Sequence, residues 1–488
     1  MQMLAAAGPD YWPFAVLFIS VVLIVVLITV LRVHAFLALI LAALAVGLLA
    51  KKLPGEYGTL GDPTKERSHW LQAVELTTAE FGTTAGKIAV VIGLASIIGM
   101  CLMESGAADK VVRVFLKMFG EKRAGLAVLI STYIVSIPIF FDTIFMLLVP
   151  LAKAMRLRTG KDYLLYIMAI CVAGVITHSM VAPHPGPLAM AEALKVDLGL
   201  SIIFGLATGL VPLIGAWFVA KWLNTRMEVP LRETPGAPLS ELEKIVAKRE
   251  EDLPPFYLSI LPVILPVILI AAASTFAAIK DDKGNLVMQL AYPALYNAVE
   301  FLGNKNIALL IGTIIAMGLL VRQKGTSFME LGELIGPPLE TAGVIILITS
   351  AGGAFGLMLK NAGVGDAIKA AAQGHEINLI FLSWLVALVI RVAQGSATVA
   401  MLTTSAMMYP LISSEPGIPY HPIYIFLAIG YGAIFLSWMN DSGFWVVSRL
   451  SGFTEKETLK SWSFMLSVIS VFGLIGTLIL ATVFPYKQ

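Results

Sequence analysis

Thr177-His178-Ser179-Met180-Val181-Ala182-Pro183-His184-Pro185-Gly186-Pro187 sits in the middle of an otherwise apolar run over 163–191. An unbroken helix cannot pass through it, because each proline lacks an amide donor and clashes with the preceding turn. Trp438-Met439-Asn440-Asp441-Ser442-Gly443 interrupts the apolar run over 422–448 in the same manner. Broken backbone at the depth of a bilayer survives only when it is buried in protein or lines a polar cavity. The fold therefore turns on whether these runs lie in a membrane.

Composition says that they do. The 488 residues are 58% hydrophobic and 14% charged, against about 45–50% and about 25% in soluble domains. Those proportions argue against a soluble enzyme and against disordered or collagenous chains. The net charge of +2, from 34 basic and 32 acidic residues, offers no field for an acidic polymer, so no nucleic-acid partner is expected. Cys101 and Cys171 both lie in apolar runs and imply no disulfide framework. Further apolar runs lie over 14–31, 35–50, 88–104, 126–151, 201–222, 257–279, 306–321, 340–359, 378–411 and 462–484. Most approach the about 20 residues a helix needs to cross the hydrocarbon. The first has no basic stretch before it and no small-residue cleavage site after it, so it reads as a retained helix rather than a signal peptide. An all-α polytopic membrane protein is expected, with the lipid bilayer as its solvent.

The chain also repeats itself at an offset of roughly 257 residues. Met103-Glu104-Ser105-Gly106-Ala107-Ala108-Asp109-Lys110 aligns with Lys360-Asn361-Ala362-Gly363-Val364-Gly365-Asp366-Ala367, and His184 aligns with Asp441. Two halves, each with a polar break at corresponding depth, are the pattern of repeat-built transporters. If 126–151 and 378–411 are re-entrant hairpins, about ten segments span, five per half, and the repeats are inverted. The loops near 106–125, 152–162, 220–256, 322–333 and 449–461 then share one side and carry most of the Lys and Arg, which makes that side cytoplasmic. Lys51 and Lys52 fall on the other side. The organisation reads as an N-terminal repeat over 1–223, a linker over 224–256 with a charged helical run over 241–251, and a C-terminal repeat over 257–488.

Ionisable and polar groups inside such runs ask for a reason. Asp142 follows Phe140-Phe141 in the first hairpin and reads either as a structural carboxylate or cap, or as a proton carrier. His178 and His184 come without an HExxH pattern or a nearby cysteine, so no metal site is expected. His184 either braces the backbone of the break or contacts substrate or proton; His178 is the weaker candidate. Arg391-Val392-Ala393-Gln394-Gly395-Ser396-Ala397-Thr398-Val399-Ala400 is a small, hydroxyl-rich turn in an apolar run. A helix starting near Ser396 would aim free amides at a carboxylate, while Arg391 either binds an anion or lies at the wet end of the hairpin. Asn440 and Ser442 offer partners for hydroxyl groups, and Asp441 is either a second protonatable group or a helix cap. Gly352-Gly353-Ala354-Phe355-Gly356 lacks the Lys-Ser/Thr of a phosphate loop and reads as close helix packing. An intramembrane enzyme is disfavoured by the lack of a metal motif, a serine elbow or a nucleophile with its partner.

Pro183-His184-Pro185-Gly186-Pro187, Arg391 to Ala400 and Asn440-Asp441-Ser442-Gly443-Phe444-Trp445 together resemble the signature stretches of the gluconate permease (GntP) family. Glu300-Phe301-Leu302-Gly303, Gly352-Gly353-Ala354-Phe355 and Glu457-Thr458-Leu459-Lys460-Ser461-Trp462 add to the likeness, which runs from about Ala35 to the C-terminus. The resemblance implies a gluconate:proton symporter of a bacterial cytoplasmic (inner) membrane. It also implies an ion-transporter fold of inverted repeats, each with a hairpin and a broken helix. Asp142 stands where gluconate-type members usually carry glutamate, and Ala182 stands where many carry proline. The expected substrate thereby widens to a small hydroxylated monocarboxylate, gluconate or a related sugar acid. The alternative is a sodium-coupled carrier of another small organic acid or a hydroxy amino acid. The carboxylate is expected near Ser396, Thr398 and His184, with Asn440, Ser442 and Thr177 at the hydroxyls and Asp142 or Asp441 carrying the proton. No cofactor is implied, and a homodimer is compatible with such a scaffold although the sequence shows no interface.

Overall fold

A computed structural model describes residues 11–53, 68–232, 250–279, 286–325, 327–364, 367, 378–414, 420–439 and 441–485. Their regular structure is helical. α1 (Trp12–Val25, extended by a π-turn over Val26–Val30) pairs with α2 (Ala35–Leu49), and Trp12 Nε1 donates to the Leu49 carbonyl at 2.8 Å. The 36-residue α3 (His69–Glu104) leads to an amphipathic α4 (Ala107–Phe119). Next come α5 (Ala124–Val135), α6 (Phe141–Thr159), α7 (Tyr163–Met180), α8 (Pro185–Leu194) and α9 (Leu198–Arg226). The second half opens with α10 (Phe256–Ala278), α11 (Val287–Ala291), α12 (Pro293–Gly303) and α13 (Lys305–Lys324). It continues with the 34-residue α14 (Phe328–Asn361), α15 (Leu379–Gln394), α16 (Ala397–Ser414), α17 (Ile423–Gly432) and α18 (Ser442–Ser451). α19 (Glu455–Thr458) runs through a π-turn over Leu459–Ser463 into α20 (Phe464–Val483).

Among the described residues seven helices are long and apolar enough to cross a membrane: α3, α7 with α8, α9, α10, α13, α14, and α19 with α20. α1, α2, α5, α15 and α17 are shorter apolar helices. The charged run expected over 241–251 falls mostly on 241–249, outside the described residues.

The layering follows from which faces are covered. Along α7 every residue but His178 is buried, and all ten residues of α17 are buried. These two interrupted helices form the centre. The outer helices turn apolar side chains outward: Phe218 of α9 is 63% exposed and Ile314 of α13 is 61% exposed. In water such faces would be a liability, whereas in lipid they are the solvent-compatible surface. The chain is a multi-pass membrane protein. At one end of the bundle Lys324 pairs with Glu104, Gln323 Nε2 donates to the Asp252 carbonyl at 2.7 Å, and Arg232 grips Glu457 through two hydrogen bonds of 2.7 and 2.9 Å. At the opposite end Lys305 pairs with Glu192 at 2.5 Å.

Lipid supplies no hydrophobic drive between helices, so their association rests on close packing and interhelical hydrogen bonds. α9 shows both. Gly205 lies so close to the Met180 carbonyl, at the end of α7, that a Cβ there would overlap it, and a Cβ at Gly209 would come within 2.5 Å of the Tyr133 hydroxyl. Tyr133 in turn donates to the Leu206 carbonyl at 2.7 Å. The glycines of α9 thus set how closely it packs on the end of α7 and on Tyr133 of α5. Gly205→Leu is expected to destabilise the fold by about 3 kcal/mol, since over-packing against backbone has no side chain to yield. The loss is read as a lowered melting temperature in detergent, with Phe218→Leu on the lipid-facing side as the neutral control.

Candidate functional site

Four helix interruptions are built by four local devices. Between α5 and α6, Pro138 removes a donor within Ser136-Ile137-Pro138-Ile139-Phe140. Between α7 and α8, the chain turns through a cis Ala182–Pro183 bond, and Pro185 takes the first helical position, where its missing N–H has no partner to lose. α15 ends on Gly395, whose φ of +88° is the left-handed conformation that favours glycine at a helix C-terminus. Ser396 follows, and its hydroxyl accepts the Val399 N–H at 3.3 Å. α18 begins at Asp441, which caps it by accepting the Gly443 N–H at 3.1 Å.

The four interruptions converge on one cavity of about 580 Å³. Its wall holds Phe141, Asp142 and Thr143 from the first turn of α6, and Pro185 from that of α8. Ala397, Thr398 and Val399 come from the first turn of α16, and Ser442 and Gly443 from that of α18. The first turn of a helix leaves amides that no intrahelical carbonyl can satisfy and presents the positive end of its dipole, although Pro185 and Pro187 carry no N–H, and Ser396 and Asp441 already take one amide each at α16 and α18.

An ion pair crosses the wall. Arg391, 3% exposed, donates through Nη2 to Asp441 at 2.5 Å and through Nη1 to the Gly395 carbonyl. Its Nε is buried with no hydrogen-bond partner among the described residues. Asp441 also accepts from the Ser437 hydroxyl. Ser437 accepts from Trp462 Nε1 at 2.7 Å, and Trp462 stacks on Phe141 with ring centroids 5.2 Å apart. Arg391, Asp441 and the starts of α6, α16 and α18 are therefore held by one network. Asp142 opens into the cavity and has neither an ion-pair nor a hydrogen-bond partner among the described residues.

The sequence-derived residues divide by position. Ser396, Thr398, Ser442, Asp142 and Asp441 are on the cavity wall. Thr177 and His184 are buried behind it. His184 Nε2 meets the Ser136 carbonyl at 2.8 Å, and Thr177 shares a 2.5 Å hydroxyl contact with Ser136, so both tie the break after α7 to the break after α5. His178, the weaker histidine in the sequence, is the one that lines the cavity, with its ring 4.7 Å from that of His184 and its Nδ1 buried without a partner among the described residues. Asn440 lies outside the described residues. Nothing in the sequence joins Arg391, Asp441, Ser437 and Trp462 into one unit, although Ser437 and Trp462 each stand beside a polar interruption or motif. Among the described residues no group of His, Cys, Asp and Glu could hold a metal.

A membrane-embedded bundle with broken helices around a central cavity that bears charged and hydroxyl side chains has the architecture of a transporter. The chain belongs to the GntP permease family: the family's model, described as GntP family permease, matches residues 12–483. It is 32% identical over 473 residues to a gluconate permease of Pseudomonas aeruginosa, covering 95% of this chain and 96% of that one. It is also 32% identical over 475 residues to the D-serine transporter DsdX of Escherichia coli, covering 96% and 98%. In fold it is similar to the crystal structure of the Alcanivorax borkumensis YdaH transporter, with a TM-score of 0.62 at 12% identity, covering 98% of this chain and 100% of that one. The protein is a permease and not an enzyme.

Breaking a buried ion pair leaves an uncompensated charge and costs about 3–5 kcal/mol, while removing both partners costs much less. Arg391→Met and Asp441→Leu are each expected to lower the melting temperature of the purified protein markedly, and the double variant to recover most of the loss. Independent, additive losses would show that the two side chains do not act as a pair.

Proposed function

We propose that this permease is a secondary active transporter that imports a small hydroxylated monocarboxylate, gluconate or a related sugar acid, by proton symport across a bacterial inner membrane. The observation that carries the reading is the convergence of four helix N-termini on one cavity that also holds Arg391. Such ends bind carboxylates through free amides and dipole alike. Thr143, Thr398 and Ser442 on the same wall suit the hydroxyl groups of the substrate. The names borne by the two relatives, gluconate permease and D-serine transporter, both denote small hydroxylated acids.

Charge supports proton coupling. Arg391 is already engaged by Asp441, so the unpaired Asp142 would repel an arriving anion. In a cavity of low effective dielectric that repulsion amounts to several kcal/mol. A proton taken by Asp142 removes it, and one monoanion then travels with one proton. Asp441 keeps the Arg391 guanidinium fixed at the cavity wall.

The proposal includes the architecture. The order of a long helix, a helix pair joined at mid-depth and a broken helix occurs twice: α3, α5–α6, α7–α8, then α14, α15–α16, α17–α18. This supports inverted repeats over 1–223 and 257–488 joined by 224–256, with about ten spans and two re-entrant hairpins. Alternating access then moves the hairpins and broken helices against the long helices.

The test is uptake of labelled gluconate into proteoliposomes under an inward proton gradient in sodium-free buffer. Accumulation that collapses with a protonophore is expected. Uptake that follows sodium and ignores pH would replace the proton as coupling ion. Asp142→Asn is expected to abolish uphill uptake while sparing gluconate exchange; full-rate accumulation by that variant would make Asp142 structural.

A further inference from the structure

A second cavity, of about 210 Å³, lies toward the end of the bundle where Lys305 meets Glu192. Three lysines from three separate elements border it: Lys87 of α3, Lys195 just past α8 and Lys360 near the end of α14. Two carboxylates, Glu80 and Glu192, border the same cavity. Glu192 is engaged by Lys305 at 2.5 Å, and Glu80 accepts from the Thr84 hydroxyl at 3.4 Å. Lys360 rests 5.4 Å from the centre of the Tyr409 ring, a contact that leaves its charge uncancelled. Burial and the facing Lys87 ammonium hold the Lys195 ammonium below its ordinary range, with Glu192 and Glu80 acting weakly the other way. Thr349, fully buried on the cavity wall, has a hydroxyl with no partner among the described residues.

Lys195 also occupies a left-handed backbone position, φ +56°, at the C-cap of α8. Glycine is the residue that suits such a position. A lysine there is disfavoured by its own backbone, and such a residue points to a use for its side chain. Gly353 and Gly356 of α14 let Thr84 and Ala406 pack directly on its backbone at this wall, with no space for a Cβ.

The same three helices border both cavities, less than two turns apart. Pro185 of α8 is on the central cavity and Ala189 on the second; on α16 these are Val399 and Leu402, and on α14 Ile348 and Thr349. Between these positions Met401 packs on Gly186 and Leu402 packs on Gly352.

We propose that the Lys87–Lys195–Lys360 cavity is a second carboxylate site, which captures the substrate anion on the face opposite the basic loops before it passes to the central cavity. The proposal rests on the reading that the substrate is a small monocarboxylate. Lys195 supplies the principal contact, Lys87 and Lys360 the surrounding field, and Thr349 a hydroxyl partner. The thin partition of Met401 and Leu402 is the barrier that the anion crosses.

Two measurements test it. In proteoliposomes of known orientation, Lys195→Gly and Lys360→Gln are each expected to raise the KM for labelled gluconate about tenfold from the face bearing Lys195, and to leave the KM from the other face unchanged. Lys195→Gly also relieves the left-handed backbone, so its melting temperature should be held or raised, which separates loss of charge from loss of fold. A KM unchanged on both faces, or raised equally on both, overturns the proposal. In the second measurement the purified protein is acylated with an amine-reactive reagent, and modification of Lys195 is followed by mass spectrometry with and without gluconate. Slowing of Lys195 alone supports the site even if the liposomes accumulate no gluconate, a result that would sink the transport reading and keep the site. Accumulation with no slowing overturns the site and keeps the transport reading, and neither effect overturns both.

Discussion

A peptide amide in hydrocarbon has no water to bond, and this constraint organises the molecule. Every interruption of a helix leaves such groups, and the protein places four interruptions where they share one polar cavity rather than meeting lipid. Everything around them serves that enclosure. α7 and α17 are buried along their length so that their broken ends are covered. α9 comes within backbone contact through Gly205. His184 and Thr177 lash the first pair of breaks together through Ser136, while Arg391 and Asp441 do the same for the second. The two halves solve one problem with different chemistry, neutral hydrogen bonds in one and an ion pair in the other.

What could be read from the chain follows from how local each signal is. Proline and glycine within an apolar run act on their own turn, so the breaks at 181–184 and near Asp441 were legible, and so was Ser396 as the start of a helix. The side a residue faces across such a break was not. His178 and His184 are six positions apart in the sequence, but the non-helical turn over 181–184 erases helical phase, and only His178 reaches the cavity. The Arg391–Asp441 pair spans 50 positions, and nothing in either neighbourhood names the other. The sequence offers Asp441 as a protonatable group or a helix cap; the cap is present, and the ion pair with Arg391 on the other carboxylate oxygen is a role that neither alternative names.

The pair also limits what the central cavity can do. A guanidinium with a carboxylate already on it is less attractive to an anion than a free one, which suits a carrier that must release its cargo. Tight capture and ready release are opposed requirements at a single site. Arg391 and Asp441 together carry no net charge, and Asp142 stands on the same wall without an ion-pair partner among the described residues.

α17 has ten residues. At 1.5 Å per residue it reaches about 15 Å, roughly half of the hydrocarbon thickness. A segment that short cannot partition into a membrane as an independent helix, and the chain leaves the helix after Gly432. It can therefore settle at its final depth only once the helices that cover it are already in place. For this part of the chain, crossing the membrane and folding are a single event, and its biogenesis depends on the order in which neighbouring segments leave the translocation machinery.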